Sequence, residues 1–262
     1  MQFPFTIQLG SITILWHTIF ETLGFFIGFR YFLWLRKQQG DTIQSSNRIW
    51  ILTGAIFGAL FGSRLIGGLE NFNALQHASN KWLYFYSNKT VLGGFLGGLA
   101  GVELTKKIIG EKHSSGDLFT YPMILALTIG RVGCFSMGIH EETYGSPTTS
   151  ILGMYLGDNV KRHPVCLYEI AFLLMLWLCL VAFEKRYPLA DGARFKIFMI
   201  AYCFFRLILD FAKPRYTLVL GLSTIQLTAL AGLVYYYRYF IQPSLLAVSY
   251  QQSAMSRNTS DL

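Results

Sequence analysis

LFTYPMILALTIGRVGCFSM, residues 118–137, is an apolar stretch whose one formal charge is the guanidinium of Arg131. Twenty helical residues rise about 30 Å, the hydrocarbon thickness of a bilayer. The stretch reads as a membrane-spanning helix and decides the fold class. A cation at that depth is costly unless it faces a cavity or meets an anion, so Arg131 marks a functional site. A second arginine, Arg206, lies in the apolar segment 197–211, one helical turn before Asp210. Two arginines at membrane depth suit a phosphate-bearing ligand, because the planar guanidinium grips phosphate oxygens in pairs.

The composition extends this reading to the whole chain. Of the 262 residues, 53% are hydrophobic and 14% charged, against roughly 25% charged in an average soluble domain. Mean hydropathy is +0.41. Seven apolar spans stand out: Ile14–Leu35, Ile49–Leu69, Val91–Leu104, Leu118–Met137, Pro164–Phe183, Ala193–Ala212 and Ser223–Phe240. The predicted fold is an all-α integral membrane protein with seven transmembrane helices, of which Val91–Leu104 is short for a crossing. The first thirteen residues are uncharged, so they lack the basic segment of a cleavable signal peptide. Residues 1–248 read as a single polytopic membrane domain. The polar, Ser- and Gln-containing residues 249–262 read as a disordered cytoplasmic tail.

Orientation follows from the basic residues. The connections after the first, third and fifth spans hold ten Lys and Arg, among them Arg36, Arg48, Lys106, Lys107 and Arg194, and those on the other side hold six. The positive-inside rule places the N-terminus outside and the C-terminus inside. The net charge of +8 is thus a topology signal, and each basic cluster reads as a juxtamembrane anchor. Its dispersal over several loops argues against a nucleic-acid surface.

The outer connection Ile139–His163 carries the densest polar chemistry, including His140, Glu141, Glu142, Asp158, Arg162 and His163, and its glycines and prolines predict a folded-back loop. Gly54, Gly58 and Gly62 in the second span, and Gly93, Gly97 and Gly101 in the third, recur every four residues. That spacing suits close helix contact, or backbone passing near a lipid headgroup. The four cysteines have no metal-site spacing. Cys179 and Cys203 read as small packing residues, and Cys134 and Cys166, near the outer ends of their spans, read as unpaired thiols or, in an oxidising compartment, as a disulfide.

These residues carry a resemblance. Gly130-Arg131-x-Gly133-x-Phe135-x-x-Gly138, followed by Glu142-x-x-Gly145, resembles the signature of bacterial prolipoprotein diacylglyceryl transferases, with a short insertion before the glutamate. Arg162-His163-Pro164-x-x-Leu167-Tyr168-Glu169 is similar to a second block of that family. Tyr202-x-x-x-Arg206-x-x-x-Asp210-Phe211 is similar to its late Tyr, Arg and acidic positions. Smaller echoes run from Trp16–Gly24 to Leu222-Ser223-x-x-Gln226, in family order over most of the chain.

The resemblance implies a multi-pass enzyme of the bacterial cytoplasmic (inner) membrane. Such enzymes move diacylglycerol from phosphatidylglycerol to the thiol of a lipobox cysteine in a preprolipoprotein and release glycerol phosphate. The implied partners are phosphatidylglycerol, the preprolipoprotein and the bilayer, with no cofactor and no metal. Arg131, Arg206, His140 and Glu142 are the expected catalytic residues. Arg131, Gly133, Gly138, Gly145, Tyr202 and Arg206 are the expected phospholipid-binding set. Asp210 would aim Arg206 from the next turn, Glu169 would brace Arg131 or Arg206, and His163 would brace the turn into the fifth span.

Departures from the family pattern bear on the mechanism. Leu92 stands where the family has a histidine, Cys134 where it has an asparagine, Glu21 where a tyrosine is usual, and Val165-Cys166 where it has Ser-Gln. An acceptor thiol with a pKa of about 8.5 needs only modest help to ionise. His140 is the first candidate to supply it, ahead of Glu142, His163 and Glu21. Glu21, read as buried mid-span, needs a partner such as Arg64 or His17. Three functions fit: a divergent diacylglyceryl transferase; a paralogue moving a lipid-derived group to another acceptor; or a non-catalytic lipid-binding membrane protein.

Overall fold

The computed structural model describes residues 3–141 and 143–247; Glu142 and the expected tail at 249–262 lie outside the described residues. Six short strands, β1 (Thr6–Leu9), β2 (Ile12–Leu15), β3 (Met154–Tyr155), β4 (Lys161–Arg162), β5 (Thr217–Val219) and β6 (Leu222–Ser223), form three antiparallel hairpins at the edges of a helical body. The helices are α1 (Trp16–Gln39), α2 (Ser45–Glu70), α3 (Phe72–His77), α4 (Lys81–Ser87), α5 (Val91–Ile109), α6 (Asp117–Met137), α7 (Val165–Arg186), α8 (Ala193–Leu209), α9 (Thr224–Tyr235) and α10 (Tyr237–Ile241).

Among the described residues, α1, α2, α7 and the stretch Asp117–His140 containing α6 are long and apolar enough to cross a membrane. Their outward faces carry large apolar side chains: Phe25, Phe57, Phe61 and Leu178 are each about 70% exposed, a surface that water would not tolerate over such an area. The third, sixth and seventh expected spans correspond to α5, α8 and α9. Helix α5 runs five residues past its apolar stretch, because Lys106 and Lys107 occupy its last turn, where cations suit the helix C-terminus. Gly110, at φ 73°, then ends it in a left-handed cap. Helix α9 is shorter than expected. A capping box of Ser223 and Gln226 fixes its start, and it breaks at Tyr236.

Two close helix pairs build the scaffold. A Cβ on Gly58 would lie 2.3 Å from the carbonyl oxygen of Gly97, and one on Gly62 would lie 2.4 Å from that of Gly93, so α2 and α5 meet backbone to backbone. The four-residue glycine spacing serves packing. Helix α1 lies along α6: Phe32 stacks on Phe119 with centroids 4.1 Å apart, Gly24 faces the Ala126 carbonyl, and His17 faces Gly133. The core between them and α7–α9 holds Leu92, Ile124, Leu173, Phe198, Tyr202 and Ala229, all fully buried.

At the end of the bundle away from the 139–163 loop, two of the expected anchors are structural ties. Arg48 is buried, pairs with Asp41, and donates to the Ser115 carbonyl at 3.1 Å. Arg194 pairs with Glu184 at 2.5 Å, and Tyr121 donates to the same carboxylate at 3.0 Å. Asp117 accepts from the backbone N–H groups of Gly192 and Phe195 at the start of α8. Pairing decides the role: Arg48, buried with its carboxylate, and Arg194, partly exposed but held by Glu184, tie loops together instead of extending to headgroups.

Candidate active site

Helices α6, α7 and α8 each bring one charged side chain to the same buried point, and α8 adds Tyr202. Glu169, on the second turn of α7, is 1% exposed. Its Oε2 lies 2.9 Å from Nε of Arg131 on α6, and accepts from Nη1 of Arg206 on α8 at 3.2 Å. Its Oε1 accepts from the Tyr202 hydroxyl at 2.7 Å. One carboxylate thus stands between two guanidinium groups, and Tyr202 fixes its orientation from below.

The arrangement is left unsaturated. Arg131 and Arg206 are both buried, yet Nε of each lacks a hydrogen-bond partner of good geometry; Arg131 Nε is close to Glu169 but its N–H is aimed aside. Buried donors are normally satisfied, so two such orphans on adjacent guanidinium groups fit a site built for a further acceptor. The two cations also exceed the one carboxylate that both reach, which favours an anion. Lys213, just beyond α8, is buried nearby, 3.9 Å from Glu70. Burial, together with the neighbouring Arg206, holds its ammonium below the usual lysine range.

The remaining site candidates fall into different places. Asp210 does not aim Arg206: its carboxylate accepts a short hydrogen bond from the Ser223 hydroxyl across the β5–β6 hairpin, and Glu169 holds Arg206 instead. Tyr202 spends its hydroxyl on Glu169. Gly133, Gly138 and Gly145 are occupied by protein. A Cβ at Gly138, which has φ 59°, would lie 2.3 Å from the Leu156 carbonyl, and one at Gly145 would lie 2.1 Å from that of His163. These glycines let the 139–163 loop close onto the end of α6. His163 lies 3.1 Å from the Tyr168 hydroxyl through Nδ1, a brace at the start of α7. His140 is exposed on a 3-10 turn, Gly138–His140.

The loop itself is held by Arg162, which donates to Asp158 at 2.6 Å and to the Gly145 carbonyl at 3.3 Å. Cys134 accepts from Nη1 of Arg131 at 3.6 Å, and Cys166 approaches the Thr143 hydroxyl at 3.5 Å. Both thiols are free, and they line one small cavity with Thr143, Tyr144 and Leu156. Glu21 is not buried: at 41% exposure it pairs with Lys89 at 2.8 Å and with His17 at 3.5 Å, while Arg64 sits over the Tyr86 ring. The sequence reading missed Ser223 and Lys213 as neighbours of the site. Ser223 had a signal, its capping-box partner Gln226 three residues on; Lys213 had none beyond its charge.

Residues 4–241 match the family model described as prolipoprotein diacylglyceryl transferase. Among curated proteins, the chain is 30% identical over 230 residues to the phosphatidylglycerol–prolipoprotein diacylglyceryl transferase of Cupriavidus metallidurans, covering 80% of each chain. It is 28% identical over 228 residues to the protein of that name from Rickettsia felis, covering 80% of this chain and 84% of the relative. It is 29% identical over 228 residues to that of the Culex pipiens Wolbachia, covering 81% and 83%. With the motif order, the buried arginines and a match over nearly its whole length, this chain belongs to the prolipoprotein diacylglyceryl transferase family.

Proposed function

We propose that this protein transfers the diacylglyceryl group of phosphatidylglycerol to the lipobox cysteine thiol of a preprolipoprotein. The observation that carries the proposal is the pair of buried arginines on α6 and α8, sharing Glu169 and each keeping an unpartnered Nε. The relatives' name supplies both substrates. The reaction breaks the bond between the diacylglyceryl carbon and a phosphate oxygen, forms a carbon–sulfur bond, and releases glycerol phosphate. Negative charge on the phosphate grows as that bond breaks, and fixed cations in a site shielded from water stabilise it most.

In this reading Arg131 and Arg206 bind the phosphate through their free donors. Glu169 and Tyr202 act through the arginines by fixing their planes. Asp210, tied to Ser223, holds the hairpin that closes the site. Gly133, Gly138 and Gly145 let the chain pack closely enough to place Arg131 at the end of α6. His140 and Glu142 remain candidates for contact with the peptide acceptor. Seven membrane crossings, an outside N-terminus and a bacterial inner-membrane location complete the proposal, with residues 1–248 as one membrane domain. The excess of Lys and Arg on one set of loops supports the orientation.

The test uses purified protein in phosphatidylglycerol liposomes with a lipobox peptide, following glycerol phosphate release and peptide mass. A thioether-linked diacylglyceryl adduct that is lost in Arg131→Ala is the expected result. Glycerol phosphate without an adduct means another acceptor. Neither product from folded protein means a lipid-binding role and overturns the proposal.

A further inference from the structure

Three segments at the arginine-site end leave large apolar side chains uncovered. In the β5–β6 hairpin, Val219 pairs with Leu222, so Leu220 and Gly221 alone make the turn. Both have positive φ, 54° and 73°, the pattern of a type I′ turn, which Asn, Asp and Gly fit best. A leucine in the left-handed region is strained. Leu220 is also 91% exposed, so packing within the protein does not offset that strain. A strained, outward-held apolar residue asks for a reason outside the packed fold. In the β1–β2 hairpin, Leu9 pairs with Ile12 beside the turn, and both are exposed. On α4, between α2 and α5, Trp82 and Leu83 are exposed as well.

All three lie at one end of the bundle. The Phe5 N–H donates to the Ser136 carbonyl at 2.9 Å, tying the first hairpin to the end of α6, and the Ser146 N–H donates to the Ala212 carbonyl at 2.8 Å, tying the 139–163 loop to the start of the last. Lys89, just after α4, pairs with Glu21 near the start of α1. The helix connections at the other end, 40–44, 110–116 and 187–192, differ: Tyr187 is their one exposed large apolar side chain.

Charge and continuity say what covers these tips. Residues 3–15 have no charged side chain, residues 78–90 hold Lys81 and Lys89, and residues 211–223 hold Lys213 and Arg215, with no acidic residue in any of them. Apolar groups beside cations suit the boundary between acyl chains and headgroup phosphates, where Trp and Tyr also concentrate. The β1–β2 hairpin runs directly into α1, a helix long and apolar enough to span a membrane, whose Phe25, Phe26 and Phe29 are exposed. Leu9 and Ile12 extend apolar surface past the end of that helix. Beside the β5–β6 hairpin opens a cavity of about 340 Å³ lined by Glu70, Asn71, Asn73, Arg215 and Thr217, which offers polar groups at the same level.

We propose that the tips of β5–β6 and β1–β2, with α4, seat in the phospholipid leaflet on the arginine-site side, at the boundary between headgroups and acyl chains. A surface can meet three separate segments at once, whereas an extended or helical peptide needs one groove or strand edge. Seating has a consequence for the site. Ser223, at the base of the β5–β6 hairpin, is bonded to Asp210, one turn after Arg206. Leu220 is three residues from Ser223, at most about 10 Å along a strand, so a seated tip holds the arginine pair near the depth of lipid phosphates. The proposal rests on the membrane-spanning reading of the chain and is independent of the transfer chemistry.

The test places a bimane label on Leu220→Cys in the purified full chain, reconstituted in phosphatidylglycerol vesicles, with the signal from the wild-type cysteines subtracted. Leu9→Cys is an independent second site and serves if Leu220→Cys does not fold. Ile151→Cys, on the 139–163 loop, is the aqueous reference. Doxyl-labelled phospholipid should quench the label at positions 220 and 9, and aqueous iodide should quench it several-fold more strongly at position 151 than at either. Iodide quenching of both tips with no effect of doxyl lipid overturns the proposal. Iodide quenching that is relieved only by a lipobox peptide also overturns it, because the tips would then dock peptide. The readout needs no turnover, so failure of the transfer assay leaves it intact, and failure here leaves the transferase reading standing.

Discussion

Glu169 is a carboxylate 1% exposed between two buried guanidinium groups, and removing it leaves two cations without a counter-ion. Breaking one side of a buried ion pair costs roughly 3–5 kcal/mol. Glu169→Gln should therefore unfold at a markedly lower temperature in micelles. Because the vacancy is anionic, phosphatidylglycerol should recover part of the loss, whereas a zwitterionic lipid should not; equal recovery by both would remove the anion-site argument. Arg131→Lys keeps the charge but loses the planar fork, and Lys cannot present paired donors to a phosphate. Its adduct-forming rate should fall at least about 10-fold, equivalent to about 1.4 kcal/mol of transition-state stabilisation, with folding intact; near-wild-type turnover would remove Arg131 from the clamp.

Charge at membrane depth is what made Arg131 and Arg206 legible in sequence, since a buried ion needs a reason, while Glu169 was legible only through the block that resembles the family. Their partners were less so. Asp210 lies a turn from Arg206 in sequence, but its carboxylate meets Ser223, brought back by the hairpin that follows α8. The first span predicts Glu21 in mid-membrane. The β1–β2 hairpin takes up the chain as far as Leu15, so Glu21 falls in the second turn of a helix that starts at Trp16. There it is half-exposed beside Lys89.

The element scale is set by α2 and α5, where glycine decides how near two helices can come. Gly94 and Gly98 have only ordinary contacts, the nearest atoms to an added Cβ being 3.6 and 3.5 Å away, while Gly58 and Gly97 would each place a Cβ 2.3 Å from a carbonyl oxygen. Overpacking costs about 1–3 kcal/mol. Gly58→Ala and Gly97→Ala should destabilise the detergent-solubilised protein by that amount, and Gly94→Ala by less than about 0.5 kcal/mol. Equal effects at all sites would mean that the pair does not meet as described. The spacing of four was readable from sequence, but the difference between its glycines was not. That difference depends on which residues of α5 oppose α2.

The 139–163 loop belongs to the same scale. Hydrogen bonds from Arg162, then from the Val160 backbone, hold the Asp158 carboxyl below the usual carboxylate range. A depressed carboxylate pKa stabilises the fold fully above the unfolded value near 3.9, and that stability is lost as pH falls through the folded value. The pair is partly exposed, so the effect should be on the order of 1 kcal/mol or less. Proteolytic cleavage within residues 139–163 should accelerate as pH drops below about 4 with an acid-active protease. In Asp158→Asn it should already be fast at pH 7. A variant cut at the wild-type rate at pH 7 would show that this pair does not hold the loop.

For the whole molecule, the proposed orientation fixes which end of the bundle faces each side of a membrane. The arginine site lies at the end closed by the 139–163 loop, so the proposed orientation places it at the outer side, where the proposed function has the preprolipoprotein arrive. The basic residues support this arrangement, though less simply than counting suggests. Arg48 and Arg194, two of the ten on the proposed inner side, are committed to Asp41 and Glu184, and their fixed positions do not test which side they occupy. The discriminating measurement is labelling of single introduced cysteines by a membrane-impermeant maleimide in intact cells. Ile151 is 92% exposed on the loop, and His113 lies exposed between α5 and α6 at the opposite end. Above the wild-type background from Cys134 and Cys179, Ile151→Cys should label from outside in intact cells. His113→Cys should label only after permeabilisation, because reagent must then cross the bilayer. The reverse pattern would invert the protein and place the arginine pair on the side opposite to the one at which the proposed function has the preprolipoprotein arrive. The positive-inside argument and the transferase proposal would then fail together.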